Sequence, residues 1–475
     1  MENNYYLKSV LDSFRKESDD TVAFSCYNGT DLTDITYPDF FRDVMKAASY
    51  FREHDIHGKH VAIAGANSYR WTVVFFALMA TRNTAVTLNQ ALSADILQWQ
   101  CEKADISLVC YDCAEVAEKF TTVPGVYFDD VSGTGSFTLD DMEYFDDNDT
   151  VIMMFTSGTT GKSKVVEITC SNLTYSIENF EEQYLLPGVE RVLTPIPFYH
   201  ILGFLHMFET LACKKTICIG RGVPYLFMDM GTLNPTILNA VPSMIESMVK
   251  LLRRAKTQEA REKYIGKRLQ TVSYGGALLN QNVCKFLLDS GFTVSVYYGM
   301  TEMSCTATWS IIDEQHMASA GKFCKYTQYR FVDGELQMSG PTLMKGYYQD
   351  EEVTNITVED GWIHTGDLGH CDEDGYLYLT GRKKNVIILS NGENVNPEEI
   401  EATFGNCGAI EECMVYSDGK GICADIFTMD QDTVKTFVKA YNETMPMYRQ
   451  VYKINYMDEP LPKTGSGKIK RKENL

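Results

Sequence analysis

The stretch TSGTTGKSKVV, residues 156–166, concentrates groups that can bind phosphate. Its first seven residues offer backbone N–H groups, four hydroxyls and one ammonium. Glycine lets a backbone approach an anion closely, and successive N–H groups form an anion-binding nest. Its Gly161-Lys162-Ser163 resembles the end of a P-loop, but that pattern needs a glycine where Thr156 stands. The composition therefore predicts a phosphate loop of another kind, with a structural turn rich in Ser, Thr and Gly as the alternative.

Six further motifs follow this loop along the chain. They are TPIPFYH at 194–200 with Gly203, YGGA at 274–277, YGMTE at 298–302, GWIHTGD at 361–367, GRKK at 381–384 and LPKTGSGK at 461–468. In this order, together with the loop, they resemble the signature motifs of the adenylate-forming superfamily. That superfamily comprises acyl-CoA synthetases, peptide-synthetase adenylation domains and beetle luciferases. The resemblance covers residues 156–468, and residues 1–150 resemble the family only loosely.

The resemblance implies a reaction in two halves. A carboxylate attacks the α-phosphate of ATP to give acyl-adenylate and pyrophosphate, and a thiol then takes the acyl group. The implied nucleotide-binding positions are Thr156, Ser157, Gly158, Thr159, Thr160, Gly161 and Lys162 at the β- and γ-phosphates, Gly275, Gly276, Ala277, Tyr297, Tyr298 and Gly299 on the adenine side, and Asp367 and Arg382 at the ribose.

The resemblance also assigns catalytic positions: Lys468, Thr301, Glu302 and His200. Lys468 would bridge the carboxylate and the α-phosphate and stabilise charge as the pentavalent state forms. Taken alone, a lysine in a basic tail such as KIKRKENL is usually a solvated charge. Glu302 would help to bind Mg²⁺, the hard cation that neutralises a triphosphate.

The second half-reaction implies motion. In the resembled family the small domain rotates about the residue two after the arginine, which is Lys384 here. The rotation withdraws the catalytic lysine and presents another face to the thiol channel. Ser390, Asn391 and Gly392 stand where family members line the channel for the pantetheine arm.

The acid is expected to be a fatty or aryl acid. Enzymes that adenylate α-amino acids usually place an Asp near residue 200 to pair with the ammonium, and FYHILGF contains no carboxylate. An unpaired buried ammonium would be costly. The candidate pocket residues are mostly apolar, which suits an acyl or aryl chain: His200, Gly203, Phe204, Met207, Tyr274, Tyr297, Met303 and Cys305.

The elements that must position these groups alternate short β-branched runs with amphipathic helices, the pattern of α/β layers. HVAIA at 60–64 and VIMMF at 151–155 predict strands, and a helix capped by Ser171 follows the loop. We expect two doubly wound α/β subdomains plus a small β-barrel in residues 1–382. A small, mobile α+β domain carrying the catalytic lysine then occupies residues 383–475.

Composition limits the partners. The 475 residues include 43 Lys and Arg against 64 Asp and Glu, a net charge of −21 that repels nucleic acid. No basic start followed by an apolar run resembles a secretory signal, and no apolar run is long enough to cross a bilayer. Fourteen cysteines without a repeating spacing favour reduced thiols. We therefore expect a cytoplasmic enzyme without a transmembrane segment.

Alternatives remain open at this stage. The acceptor thiol could belong to coenzyme A or to the phosphopantetheine arm of a carrier protein, and a catalytically silent homologue is a third hypothesis. The family commonly has Pro where Ser163 stands and Gly where Val165 stands. These departures predict a functional loop of altered rigidity.

Overall fold

The structure is a computed structural model that describes residues 6–156, 163–389, 393–463 and 469–471. The helices within these ranges are α1 (Tyr6–Arg15), α2 (Tyr37–Glu53), α3 (Tyr69–Ala80), α4 (Ala94–Lys103), α5 (Ala114–Ala117), α6 (Cys170–Phe180), α7 (Ile201–Ala212), α8 (Leu226–Leu233), α9 (Pro242–Arg254), α10 (Gln258–Ile265), α11 (Gln281–Asp289), α12 (Glu351–Thr357), α13 (Pro397–Phe404) and α14 (Gln431–Thr444).

The strands within the same ranges are β1 (Val22–Asn28), β2 (Asp31–Thr36), β3 (His60–Ala64), β4 (Thr84–Leu88), β5 (Ile106–Tyr111), β6 (Gly125–Tyr127), β7 (Thr150–Thr156), β8 (Lys164–Thr169), β9 (Arg191–Leu193), β10 (Thr216–Ile219), β11 (Ile237–Ala240), β12 (Thr271–Gly275), β13 (Thr293–Met300), β14 (Cys305–Ile311), β15 (Lys322–Phe323), β16 (Gln328–Val332), β17 (Glu335–Ser339), β18 (Gly346–Tyr347), β19 (Val358–Glu359), β20 (Trp362–Cys371), β21 (Leu377–Arg382), β22 (Ile387–Ile388), β23 (Asn394–Val395), β24 (Glu412–Ser417), β25 (Ile422–Phe427) and β26 (Val451–Met457).

Two large sheets confirm the predicted α/β layers. One has the order β18-β8-β7-β4-β3-β5-β6, with parallel pairing from β7 to β6. The other has the order β15-β14-β13-β12-β11-β9-β10-β1-β2, with parallel pairing from β13 to β1. Their central strands are almost wholly buried because helices cover both faces of a parallel sheet.

The smaller sheet is organised around the ten-residue strand β20. β17 pairs with one edge of β20, whereas β19 pairs with the beginning of its other edge and β21 with the rest of that edge, all antiparallel. Its core contains Met303, Leu336, Met338 and Ile363, so it packs directly on the turn after β13. This sheet therefore joins the end of β13 to the strand that precedes the C-terminal segment.

The C-terminal segment has its own hydrophobic core. β24, β25 and β26 form one sheet, and α13 and α14 pack on it around Phe404, Val415, Ile426 and Val438. α13 begins with Pro397, with Glu398 and Glu399 in its first turn, as the sequence predicted. The side chain of Asn282, at the start of α11, donates to the backbone oxygen of Asn406 at 3.2 Å, which connects this unit to the nine-stranded sheet layer.

The helix that follows the phosphate loop begins earlier than predicted. Its cap is Thr169 rather than Ser171, because the Thr169 hydroxyl accepts from the Asn172 N–H while the Asn172 side chain accepts from the Thr169 N–H. This reciprocal capping box satisfies two donors that the helix itself leaves unpaired.

No helix within the described ranges combines the length and apolarity that crossing a bilayer requires.

The departure at Val165 has a structural cause. Val165 pairs with Phe155 across β7 and β8, is 1% exposed, and packs in the cluster that contains Val86, Leu88 and Met153. A valine here fills the core beneath the start of β8, where glycine would leave a void.

Val165→Gly is therefore expected to lower the free energy of unfolding by about 2–4 kcal/mol, because it removes buried methyl groups and adds backbone entropy. Urea denaturation measures the loss. Val332→Gly, at a 41% exposed strand position, is the matched control and should cost about 0.5–1 kcal/mol. Equal losses in the two variants would contradict the packing role of Val165.

Candidate active site

The ends of the predicted phosphate loop are held together by strand pairing. Thr156 ends β7, Lys164 begins β8, and the two residues are antiparallel partners. Ser157, Gly158, Thr159, Thr160, Gly161 and Lys162 lie outside the described residues. The pairing fixes both ends of the segment predicted to bind the β- and γ-phosphates.

A tyrosine that the sequence analysis missed connects this loop to the YGMTE motif. The Tyr347 hydroxyl donates to Glu302 Oε1 at 2.8 Å, and Lys164 Nζ lies 4.6 Å from the centroid of the Tyr347 ring. Burial first, and then the neighbouring Glu302 carboxylate, raise the pKa of Tyr347, so its hydroxyl stays a donor. No motif marked Tyr347, since an aromatic residue after a glycine is common in ordinary cores.

Thr301 and Glu302 lie in the tight 3-10 turn Thr301–Met303, which follows β13 directly. Ser304 ends this turn in the left-handed region with φ 51°, and the Glu302 carbonyl accepts from the Met344 N–H at 2.8 Å. These contacts hold the partly buried Glu302 carboxylate in one place beside the end of β13.

Asp367 is the centre of the predicted ribose site. It is 6% exposed; Tyr298 donates to Oδ2 at 2.7 Å, and Arg382 Nε lies 2.5 Å from Oδ1. Asp367 and Arg382 are cross-strand partners on β20 and β21, while Tyr298 comes from β13. The structure therefore brings together three residues that the sequence separates by 84 positions between Tyr298 and Arg382.

The YGGA motif lies at the end of β12. Gly276 has φ +80° and is exposed together with Ala277, so backbone groups face outward there. A Cβ on Gly275 would lie 2.0 Å from the Tyr297 ring, so only glycine lets this aromatic side chain cover the strand end. Gly299 has the same kind of restriction, since a Cβ there would lie 1.5 Å from the Cys305 oxygen.

Tyr297, whose ring covers Gly275, also belongs to the main hydrophobic core with the acyl candidates Phe204 and Met207. It is 4% exposed and its hydroxyl lies 3.0 Å from His206 Nε2, while His206 Nδ1 lies 2.6 Å from the Tyr184 hydroxyl. Burial lowers the pKa of His206 to about 3, so this imidazole is neutral between two tyrosines. Sequence reasoning named Tyr297 and missed His206 and Tyr184.

Glu209 lies one helical turn beyond His206 on α7. The residue is 0% exposed, and neither carboxylate oxygen has a hydrogen-bond partner among the described residues. Burial first, and then the Glu181 charge, raise the pKa of Glu209 well above its ordinary value. The group is therefore a neutral carboxylic acid in the interior, as the cost of burying an unpaired carboxylate requires.

The N-terminus of α7 carries the predicted acyl-side residues. His200 is the N-cap, and its Nδ1 accepts from the Leu202 N–H at 3.3 Å. A Cβ on Gly203 would lie 2.2 Å from the Pro197 oxygen, which explains the glycine. Asn67 anchors the preceding segment by donating to the Ile196 oxygen at 2.8 Å and accepting from the Phe198 N–H at 2.7 Å.

The remaining acyl candidates divide among three hydrophobic clusters. Phe204, Met207 and Cys305 share the main core with Tyr297, whereas Tyr274 and Met303 belong to neighbouring clusters. The Phe204 ring lies 4.9 Å from that of Phe75 on α3, so it packs within the core. The Tyr274 hydroxyl is buried without a hydrogen-bond partner among the described residues.

Lys384, the predicted hinge, lies between two residues whose side chains bond to different parts of the protein. Lys383 Nζ lies 2.8 Å from Glu335 Oε2 on β17, which belongs to the small sheet of the large domain. Asn385 Nδ2 donates to Glu398 Oε1 at 2.6 Å, on helix α13 of the C-terminal unit. Ser390, Asn391 and Gly392 lie outside the described residues, as does Lys468.

Glu209 yields a prediction on stability. Because its pKa in the native state is raised, the stability that it contributes is fully present below pH 4.5 and falls as the pH rises towards the native value. Glu209→Gln removes this dependence, so the variant should unfold like the wild type at pH 4.5 and be more stable at pH 8. The difference grows by about 1.4 kcal/mol per pH unit, measured by urea denaturation.

The matched control for this prediction is Glu182→Gln, which changes an exposed carboxylate. Its stability should follow the wild type at both pH values. Parallel pH profiles for Glu209→Gln and the wild type would show that Glu209 is ionised in the native protein.

Comparison with known proteins relates this arrangement to a family. The family model described as AMP-binding enzyme matches residues 11–348, and that of the AMP-binding enzyme C-terminal domain matches residues 384–475. A 2-succinylbenzoate–CoA ligase of Bacillus cytotoxicus is 29% identical over 436 residues, covering 88% of each chain. A long-chain-fatty-acid–CoA ligase of Mycobacterium bovis is 24% identical over 479 residues, covering 87% of this chain and 80% of the relative.

Solved structures share the fold. An O-succinylbenzoate coenzyme A synthetase from Bacillus subtilis in complex with AMP superposes with a TM-score of 0.82 at 23% identity, covering 98% of this chain and 99% of the other. An anthranilate CoA ligase in complex with anthranoyl-AMP superposes with a TM-score of 0.86 at 17% identity, covering 99% and 96%. The predicted fold is confirmed, and the chain belongs to the AMP-binding enzyme family.

Proposed function

We propose that this AMP-binding enzyme is an acid–thiol ligase that activates a carboxylic acid with ATP and transfers the acyl group to coenzyme A. The observation that carries the proposal is the buried carboxylate of Asp367, held between Tyr298 and Arg382. A carboxylate fixed in this way can accept hydrogen bonds from vicinal ribose hydroxyls. The relatives described as CoA ligases support the thiol acceptor.

The nucleotide is proposed to lie along the ends of β12 and β13 and the middle of β20. The adenine is flanked by Gly275, Gly276 and Ala277 on one strand end and by the backbone of residues 297–299 on the other. Asp367 binds the ribose. Arg382, whose side chain is 42% exposed, reaches the ribose or a phosphate. The loop 156–162 binds the β- and γ-phosphates, with its ends fixed by the pairing of Thr156 and Lys164.

Mg²⁺ is proposed to bind at Glu302, and the residues there fit it. A solved relative from Bacillus subtilis is described in complex with ATP and magnesium ion. Here the Tyr347 hydroxyl engages Oε1 of Glu302, which orients the carboxylate while leaving Oε2 as a hard oxygen ligand. The described residues contain no cluster of three or more His, Cys, Asp or Glu that could hold a metal. Phosphate oxygens and water would then supply the other ligands that Mg²⁺ prefers.

In the first half-reaction, a carboxylate oxygen of the acid attacks the α-phosphorus of ATP, and the bond from that phosphorus to pyrophosphate breaks. We assign Lys468 to the charge that develops between the two reactants. Thr301 directly follows the strand β13 and His200 is the N-cap of the helix α7, and we assign both to the reaction centre.

In the second half-reaction, the thiol sulfur attacks the acyl carbonyl carbon, the bond to AMP breaks, and the thiol proton passes to solvent. The boundary of the proposed domains, 1–382 and 383–475, precedes the hinge at Lys384 by one residue. Rotation at Lys384 would bring Ser390, Asn391 and Gly392 to the channel for the pantetheine arm.

An aryl acid or fatty acid is favoured over an amino acid. The single acidic residue of α7 is Glu209, whose raised pKa keeps it neutral, so it offers no charge to an ammonium group. The proposed wall of Met207, Cys305 and Tyr297 belongs to the main hydrophobic core, and the Tyr297–His206 pair adds a hydroxyl and an imidazole. Such a wall suits an acid with a ring or a short chain and one polar substituent.

Coenzyme A is favoured over a carrier protein as acceptor. Carrier proteins are often acidic, and the chain carries a net charge of −21. A cytoplasmic location is part of the same proposal. Each of the fourteen cysteines has a free thiol in the structure, which fits a reducing compartment.

Pyrophosphate release across a panel of 2-succinylbenzoate, benzoate, anthranilate, octanoate and palmitate tests this function. With ATP and Mg²⁺ we expect release with at least one of the acids, and formation of the matching CoA thioester when coenzyme A is added. Adenylate without a CoA product would favour the carrier-protein acceptor. Absence of release with every acid would favour a catalytically silent homologue.

Lys384→Pro tests the hinge. Proline fixes φ near −65°, and the bonds of Lys383 and Asn385 to opposite domains leave Lys384 as the residue that must turn. The variant should retain acid-dependent pyrophosphate release and lose thioester formation from preformed acyl-adenylate by about tenfold or more. Lys384→Ala should keep both half-reactions, and normal thioester formation by the proline variant would place the hinge elsewhere.

A further inference from the structure

The segment that carries Lys468 is attached to the C-terminal unit on both sides. Before it, Lys463 Nζ lies 2.6 Å from Glu412 Oε1, and the Leu461 N–H donates to Glu412 Oε2 at 2.6 Å. After it, Ile469 forms an antiparallel bridge with Lys463, and the Lys470 N–H donates to the Pro462 oxygen at 2.8 Å. The described residues on the two sides of Lys468 are therefore paired with each other.

Arg471 forms the strongest attachment on the C-terminal side. Its Nη1 lies 3.0 Å from Glu401 Oε1 and its Nη2 lies 2.6 Å from Glu401 Oε2, a bidentate pair on helix α13. Glu401 Oε1 also accepts from the Val415 N–H at 2.7 Å, and the carboxylate side chain is 19% exposed. A partly desolvated, bidentate guanidinium–carboxylate pair restrains both position and orientation, which a solvated lysine in the same tail would not do.

The same arginine connects to the hinge. Arg471 Nη2 lies 3.2 Å from Glu398 Oε1, the oxygen that accepts from Asn385 Nδ2 at 2.6 Å. Glu398 is thus bonded both to the residue after Lys384 and to the residue three after Lys468. The first turn of α13 joins the axis of the proposed rotation to the base of the lysine segment.

We propose that Arg471 is a positioning residue for adenylation: its pairs with Glu401 and Glu398 fix the segment that carries Lys468 relative to the hinge. The proposal rests on the role proposed for Lys468. Arg471 and Lys468 are three residues apart, a reach of at most about 11 Å, so the anchoring of Arg471 limits how far the lysine can lie from helix α13. Arg471 acts only where Lys468 acts, so its loss should affect one half-reaction.

The test separates the half-reactions in Arg471→Met. With the panel acid that the wild type turns over fastest, we expect acid-dependent pyrophosphate release to fall on the order of 10- to 100-fold, as misplacing a catalytic group does. Thioester formation from the preformed acyl-adenylate and coenzyme A should stay within about twofold, because it needs no Lys468. Arg471→Lys, which restores charge without the bidentate geometry, should recover part of the first half-reaction.

Arg449→Met is the matched control. Arg449 Nη2 lies 2.5 Å from Glu399 Oε2 on the same turn of α13, with side-chain exposures of 30% and 33%, but it is remote in sequence from Lys468. This variant reports any general loosening of the C-terminal unit and should change the two half-reactions equally or not at all. Equal losses in both half-reactions for Arg471→Met, or unchanged adenylation, would overturn the inference.

Lys468→Ala tests the proposed role of Lys468 separately from the positioning role of Arg471. If Lys468→Ala retains adenylation, the role of Lys468 is wrong and the loss in Arg471→Met has another cause. If Lys468→Ala loses adenylation while Arg471→Met does not, the role of Lys468 stands and the positioning role of Arg471 is wrong. If no panel acid supports turnover in the wild type, the proposed function itself fails.

Discussion

Burial of the Asp367 carboxylate is the constraint on which the rest of this active site depends. An ionised carboxylate at 6% exposure is costly unless hydrogen bonds and an opposite charge replace water. Tyr298 and Arg382 supply them, and each comes from a different strand. The nine-stranded sheet and the small sheet must therefore pack in one register, with the end of β13 against β20.

That register also determines where the strand before the proposed hinge ends. Arg382 is opposite Asp367 on β21, so the strand that completes the ribose site ends two residues before Lys384. Glu335 repeats the pattern, since it accepts from the Gly366 N–H at 3.1 Å through one oxygen and pairs with Lys383 at 2.8 Å through the other. Two buried carboxylates thus tie the proposed nucleotide site to the residues before the proposed hinge. Rotation of the C-terminal unit can then leave the ribose site undisturbed, because the side chains that hold it lie on the large-domain side.

The sequence predicts the fold class and the candidate site residues because both depend on local sequence patterns. Buried parallel strands such as β3 and β7 are continuous apolar runs, and Tyr298, Asp367 and Arg382 stand in glycine-marked motifs. The partners that orient them are not local. Tyr347 is 45 residues from Glu302, and Asn67 is 129 residues from the Ile196 oxygen that it binds. A single Tyr or Asn between two elements has the same sequence pattern whether it packs in a core or supports a site.

The helix cap at Thr169 shows the same limit at short range. Thr169 and Ser171 are both favoured cap residues by type, and the reciprocal bond with Asn172 decides between them. The motifs thus identify the residues predicted to meet the ligand, while pairing geometry identifies those that hold them in place. Glu335, His206 and Arg471 belong to the second group.

The phosphate loop illustrates how packing can replace a sequence feature. A proline at position 163 would reduce the freedom of the loop by fixing one backbone dihedral, a gain of about 0.4–1 kcal/mol. Ser163 does not restrict the backbone in this way, but the next residue, Lys164, is already held in place. Lys164 pairs with Thr156 in the sheet, and its ammonium lies over the ring of Tyr347. Val165 then packs into the core at 1% exposure. The strand therefore holds the exit of the loop where the resembled family uses proline. The Tyr347 ring near the Lys164 ammonium belongs to the side chain that donates to Glu302, so one side chain connects the proposed phosphate loop with the proposed Mg²⁺ ligand.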